Sequence, residues 1–134
     1  MGLADARISA RLPAQDLERA RRFYADQLGI EPIEERPGGL RYVFANGDFA
    51  LFASAGAPSG GHTQMGFEVD DLEATVAELK ARGVVFEDYD AGPLKTTGGI
   101  ARVEGNYPSK GGVGEKAAWF HDSEGNLIGL GQAL

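Results

Sequence analysis

The chain has 134 residues, 43% of them hydrophobic and 25% charged, a composition that fits one ordinary globular domain and argues against disorder. It has no cysteine, which excludes a disulfide framework, thiolate metal sites and a cysteine nucleophile, and fits a reducing cytoplasm. A net charge of −7 disfavours nucleic acid, no run reaches the ~20 apolar residues of a membrane span, and the first residues lack a signal peptide's apolar segment. The acidity sits in residues 62–134, either as a field favouring cationic ligands or as a solvated face.

In chain order, Ile8, Ala10 and Leu12 alternate with Ser9, Arg11 and Pro13, the period of a strand with one buried face. A helix follows, with Leu17, Ala20, Tyr24 and Leu28 on one side and Phe23 beside them. Asp16 is placed to cap it and Gly29 to stop it. Strands are predicted near 31–36, 40–45 and 48–54, with turns at Pro37-Gly38-Gly39 and at Asn46-Gly47, a hairpin signal. Residues 55–61 read as a linker.

The pattern then repeats. Thr63, Met65, Phe67 and Val69 alternate with His62, Gln64, Gly66 and Glu68, and Asp71-Leu72-Glu73 echoes Asp16-Leu17-Glu18. Leu72, Thr75, Val76 and Leu79 form a second helical stripe ended by Gly83. Its cap is Asp70 or Asp71, and Asp70 with Glu73 has capping-box spacing. A strand near 84–88 leads into residues 90–114, which hold seven glycines and read as one long connection, either a lid or a floppy loop. Strands near 115–121 and 126–132 close the chain. Neither half can bury its sheet alone, so two β-α-β-β-β modules sharing one core are expected.

Three segments carry a resemblance to the vicinal oxygen chelate superfamily, also called the glyoxalase/bleomycin-resistance/dioxygenase superfamily. They are Asp16-Leu17-Glu18-Arg19-Ala20-Arg21-Arg22-Phe23-Tyr24 with Leu28-Gly29, then Val69-Asp70-Asp71-Leu72, and Asp122-Ser123-Glu124-Gly125-Asn126. The usual proline after Asp122 is Ser123 here. The resemblance implies an α+β fold in which two βαβββ modules form a curved, partly open mixed sheet around a concave pocket. It also implies one domain over 7–132 (module one 7–54, module two 62–132) and a homodimer.

Metal-using relatives take ligands from the first and last strands of each module. Counting from the helix-opening aspartates and the terminal turn places those positions at Ser9, Leu51 or Phe52, Gln64 and Gly129. Only Gln64 is an ordinary ligand, and one neutral amide cannot hold a divalent ion against water. No metal or other cofactor is therefore expected, with a displaced site from His62, His121 and Glu68 as the alternative.

Strand parity places Ser9, Arg11, His62, Gln64, Gly66 and Glu68 on the concave side. Gly129 and Gly131 leave one face of the last strand bare, either for a ligand or for a crowding neighbour. Tyr107 and Lys110 sit in the glycine-rich connection, and Trp119 alternates with His121 on the strand after it; Trp119 belongs either to the pocket or to the core. The expected ligand contacts are thus Ser9, Arg11, Gln64, Glu68, Tyr107, Lys110, Trp119 and Gly129. The function these point to is metal-independent, cytoplasmic binding of an aromatic or cationic small molecule, without nucleic acid or membrane. The alternative is a metal-free lyase or isomerase using His62, His121 or Glu68 as acid or base, and third a divalent-metal glyoxalase.

Overall fold

The computed structural model describes residues 2–105 and 113–134. After a short 3-10 turn at Leu3–Asp5, module one runs β1 (Ala10–Ala14), α1 (Leu17–Asp26), β2 (Glu34–Arg36), β3 (Gly39–Phe44) and β4 (Gly47–Ala53). Its sheet has the order β1-β4-β3-β2, with β1 parallel to β4 and the other pairs antiparallel. Module two runs β5 (Thr63–Glu68), α2 (Leu72–Ala81), β6 (Asp90–Ala91), β7 (Leu94–Thr97), β8 (Ile100–Glu104), β9 (Gly114–His121) and β10 (Leu127–Ala133). Its sheet has the order β5-β10-β9-β8-β7-β6, again with a parallel first pair. The class is α+β, with two open sheets.

Both helices begin where an aspartate satisfies a first-turn amide. Asp16 accepts from the Arg19 N–H at 3.0 Å and Asp71 from the Ala74 N–H at 3.1 Å. The capping box expected from Asp70 and Glu73 does not form, because Asp71 is the cap, and Glu73 instead reaches across to Lys116 Nζ at 2.7 Å. Ala20 and Tyr24 of α1 and Leu72, Val76 and Leu79 of α2 are buried, while Thr75 is half-buried at the edge of its stripe. Ile8 is 95% exposed, against the expectation that it starts the first strand's apolar face. In the parallel register Ala10 lies opposite Phe49, so Ile8 would fall opposite Gly47, where β4 leaves the hairpin turn and offers no apolar surface.

Module two departs from the expected plan in two places. The strand expected at 84–88 reduces to a single bridge, Phe86 to Phe120, because β8 occupies the same edge of β9 as far as Ala118. The described part of 90–114 is not one long connection but three short strands in antiparallel pairs. Gly98 and Gly99 form the two-residue turn between β7 and β8 with φ of +60° and +85°, and such a hairpin turn requires positive φ at both residues. A Cβ on Gly99 would also lie 2.9 Å from Phe86 Cβ. Gly98→Ala should therefore cost about 1 kcal/mol, and Gly99→Ala about 2 kcal/mol or more, because it adds the clash to the left-handed strain. Thermal melts of the two variants check this order.

One apolar cluster draws on both modules, including Leu12, Tyr24, Phe49 and Leu51 from the first and Val76, Phe120 and Ile128 from the second. At the seam, the Phe67 ring stands edge-on to Phe44 and Phe49, with centroids 5.5 and 6.4 Å away. Polar ties cross it too. The Tyr24 hydroxyl donates to Asp122 Oδ2 at 2.7 Å, Arg19 donates twice to Glu124 at 2.8 and 2.9 Å, and Asn126 Nδ2 donates to the Pro13 carbonyl at 3.1 Å. Burial, then the Asp122 charge and hydrogen bond, push the Tyr24 phenol well above its ordinary value. Burial opposes ionisation of Glu124, yet Arg19, Ser123 and the Asp16 N–H hold its carboxyl below the usual range.

Candidate binding cleft

Helix α2 packs on one face of the second sheet, and the other face opens into a cleft of about 750 Å³. Strand register builds its floor. On one line Gly66 of β5, Gly129 of β10 and Trp119 of β9 are neighbours; on the next, Glu68, Gly131 and Ala117. Glu115 and its β8 partner Val103 continue the floor beyond them. Along β9, Trp119, Ala117 and Glu115 stand in file over about 13 Å at ordinary strand spacing. The result is a small-residue floor between an indole at one end and two carboxylates, Glu68 and Glu115, at the other. Glu115 is only 7% exposed.

The Trp119 end is shaped by a bulge. Leu127 pairs with Thr63 but Ile128 pairs with Met65, so Gln64 is an extra residue in β5. Beyond the bulge the parity reverses. Thr63, expected to face the helix, turns into the cleft, and its Oγ1 accepts from the Trp119 indole N–H at 3.1 Å. His62, expected in the cleft, is exposed outside it, with Nδ1 3.3 Å from Ser59 Oγ. The indole is further held by an edge contact with Tyr89, centroids 5.5 Å apart.

This also explains Gly129. A Cβ there would lie 3.2 Å from Thr63 Cγ2 and 3.5 Å from the indole, so its missing side chain accommodates the Trp119–Thr63 pair. Gly66 is different: a Cβ there would meet only the Gly129 carbonyl, at an ordinary 3.6 Å.

Of the residues expected from sequence, Gln64, Glu68, Trp119 and Gly129 therefore line one cleft. Ser9 and Arg11 do not join them. They belong to the first module, where β1 pairs with β4 and not with β5. There Asp48 is held below the usual carboxylate range by the Arg41 hydrogen bond and then by Ser9, with a smaller contribution from the Arg11 charge. Tyr107 and Lys110 lie outside the described residues. His121 is not in the cleft lining; Nδ1 lies 2.6 Å from Glu87 Oε1 and Nε2 lies 2.9 Å from the Gly60 carbonyl. The Gly60 carbonyl first, then Glu87, raise its pKa above the ordinary imidazole value against some desolvation. Thr63 and Glu115 enter the cleft without having been expected there. Glu115 could have been found from its parity with Trp119, while Thr63 could not, because nothing in β5 announces the bulge.

The residues at the family's ligand positions do not fit a metal. Leu51 is fully buried in the core, Phe52 is an apolar ring on the other module, Ser9 adjoins β1 of the first sheet while Gln64 is in the second, and Gly129 has no donor side chain. Among the described residues no three His, Cys, Asp or Glu side chains are gathered to hold an ion, so the displaced set of His62, His121 and Glu68 is not assembled.

The family model of the Glyoxalase/Bleomycin resistance protein/Dioxygenase superfamily matches residues 7–130. The chain belongs to this superfamily. Its fold is similar to a superfamily protein from Alicyclobacillus acidocaldarius at 16% identity and TM-score 0.67, covering 100% of this chain and 96% of that one. TnmS3, an antibiotic binding protein from Streptomyces sp. CB03234, is 24% identical with TM-score 0.62, covering 98% and 99% of the two chains. A lactoylglutathione lyase from Agrobacterium tumefaciens is 22% identical with TM-score 0.59, covering 96% and 93%. No curated protein matches the chain. Within the superfamily one fold thus carries both a binder and a lyase, and the site must separate them.

Proposed function

We propose that the cleft binds a flat, largely aromatic small molecule without a metal ion and without transforming it. The observation that carries this reading is the side-chain-poor floor at Gly66 and Ala117 beside an indole fixed by Thr63 and Tyr89. A planar ring system can lie on such a floor and meet the indole, and a fixed aromatic contact loses little entropy on binding. Glu68 and Glu115 favour a ligand with a donor or cationic group at the far end. The likeness to the antibiotic-binding TnmS3 supports the same class. We further propose that the protein acts in the cytoplasm as a homodimer, with the partly exposed Phe52 and Val43 of the first sheet supplying apolar contact. Light scattering should then give twice the chain mass.

The acid–base reading now rests on Glu68 alone among its candidates, since His62 and His121 are outside the cleft lining. A thermal-shift screen against polycyclic aromatic, cationic and thiol-conjugated compounds separates the two readings, with mass analysis of each recovered hit. Ligand at a hundred times its dissociation constant adds ~2.7 kcal/mol, a shift of several degrees. A hit recovered unchanged, from protein first dialysed against chelator, is the expected result. A hit recovered altered, or binding lost with the chelator, overturns the proposal.

A further inference from the structure

Residues 58–63 join the modules and end at the bulge that carries Thr63. The segment docks on module two: Pro58 lies over Gly125, and Gly60 has φ +70°, where a Cβ would meet the Gly125 carbonyl at 3.1 Å and His121 Nε2 at 3.4 Å. His121 holds its middle. His121 Nε2 meets the Gly60 carbonyl at 2.9 Å and Nδ1 meets the Glu87 carboxylate at 2.6 Å. With Glu87 ionised, both partners can only accept. A neutral imidazole has one N–H, so in either tautomer it would turn a lone pair toward an oxygen at one of these distances. The geometry therefore fits the doubly protonated ring beside an ionised Glu87.

We propose that His121, as the imidazolium, is a positioning residue that clasps the inter-module linker against the indole end of the cleft, so that the shape of this end depends on pH. The covalent path is short. Gly60 is three residues from Thr63, whose hydroxyl accepts from the Trp119 indole, and Trp119 precedes His121 by two residues on β9. Segment 86–89 completes the frame: the Glu87 N–H donates to the Trp119 carbonyl at 2.8 Å and the Tyr89 ring contacts the indole.

The groups that face or adjoin the ring account for its direction of titration. Glu87 from segment 86–89 and Asp122 from the turn after β9 favour the charged form, as does the Gly60 carbonyl from the linker. β10 presents only Leu127 opposite His121, and His62 in the linker is turned toward Ser59. A pKa raised on folding means that the clasp's stabilisation is fully present below the unfolded value near 6.5. It is lost as pH rises through the folded value. The anionic Glu87 keeps the Nδ1 proton, so deprotonation turns the Nε2 lone pair toward the Gly60 carbonyl, freeing the linker and with it the Thr63 support of the indole.

The chain has a single tryptophan, so the reporter is built in. Trp119 emission and the His121 side-chain NMR signals are followed together from pH 5 to pH 9, without ligand; His62→Gln assigns the resonances. The expected result is that both ring nitrogens carry protons at pH 6, that His121 titrates above 6.5, and that Trp119 emission steps at the same midpoint. His121→Gln should abolish the step, and Glu87→Gln, at a half-exposed position, should move the midpoint down. The proposal is overturned if emission is flat across the His121 titration, if His121 titrates at or below 6.5, or if the Glu87→Gln midpoint is unmoved. Because no ligand enters, this result and that of the binding screen are independent of one another.

Discussion

Asp122→Ala is expected to be the most damaging single substitution described here, lowering stability by about 3–5 kcal/mol and the melting temperature by roughly 15 °C. The side chain is 5% exposed and accepts four hydrogen bonds. Oδ1 takes the backbone N–H groups of Glu124 and Asn126, both at 2.9 Å, and Oδ2 takes Asn126 Nδ2 at 2.9 Å and the Tyr24 hydroxyl at 2.7 Å. Truncation leaves these donors with no acceptor in a region water reaches poorly, which costs more than the net worth of the bonds. The turn and the seam between modules fail together, because Tyr24 belongs to α1 while the amides belong to the β9–β10 turn. Tyr24→Phe removes one donor and leaves the turn intact, so about 1–2 kcal/mol is expected. Urea unfolding of both variants checks the order; equal losses would show that the turn amides find water as readily as Asp122.

That contact shows what the sequence can and cannot convey. Asp16 and Asp71 are legible as caps because capping is local: a carboxylate three residues before a free amide suffices. The β3–β4 hairpin is legible too, but its turn residues are Ala45 and Asn46 rather than Asn46-Gly47, and Gly47 opens β4 opposite Phe44. Asp122 is visible as part of a terminal turn, but its bond to Tyr24 spans 98 residues and no local pattern states it. The same holds for the cleft. Gly66 and Glu68 follow from strict alternation and are where alternation puts them, while Trp119, open between pocket and core in the sequence, lines the cleft. Thr63 and His62 exchange places because β10 pairs across an extra residue at Gln64, a property of the partner strand. Gly98-Gly99 is a different kind of miss. The turn signal is present, flanked by Leu94–Thr97 and Ile100–Glu104, and it is hidden only by the density of other glycines around it.

Gly66→Val is expected to abolish ligand binding, by more than 100-fold in Kd, while leaving the fold as stable as before or more so. The position allows this separation. Its backbone is not in the left-handed region, its Cβ would meet nothing closer than the Gly129 carbonyl at 3.6 Å, and it lies in a strand, where a β-branched residue is favoured over glycine. The added methyls project into the floor of the cleft, beside Gly129 and in line with the indole. A flat ligand resting there would have to rise by about the thickness of a methyl group, losing its floor contact and its register with Trp119. Trp119→Ala is the complementary change. Removing a fixed aromatic anchor costs about 2–3 kcal/mol of binding, near 30- to 150-fold. It also removes the donor to Thr63 Oγ1, so some loss of stability accompanies it. Calorimetric titration of a screen hit into both variants, with melts run alongside, distinguishes the outcomes. Unchanged affinity in Gly66→Val with an intact melt would move the ligand off this floor altogether, whereas loss confined to Trp119→Ala would keep the indole contact and place the ligand against its other edge.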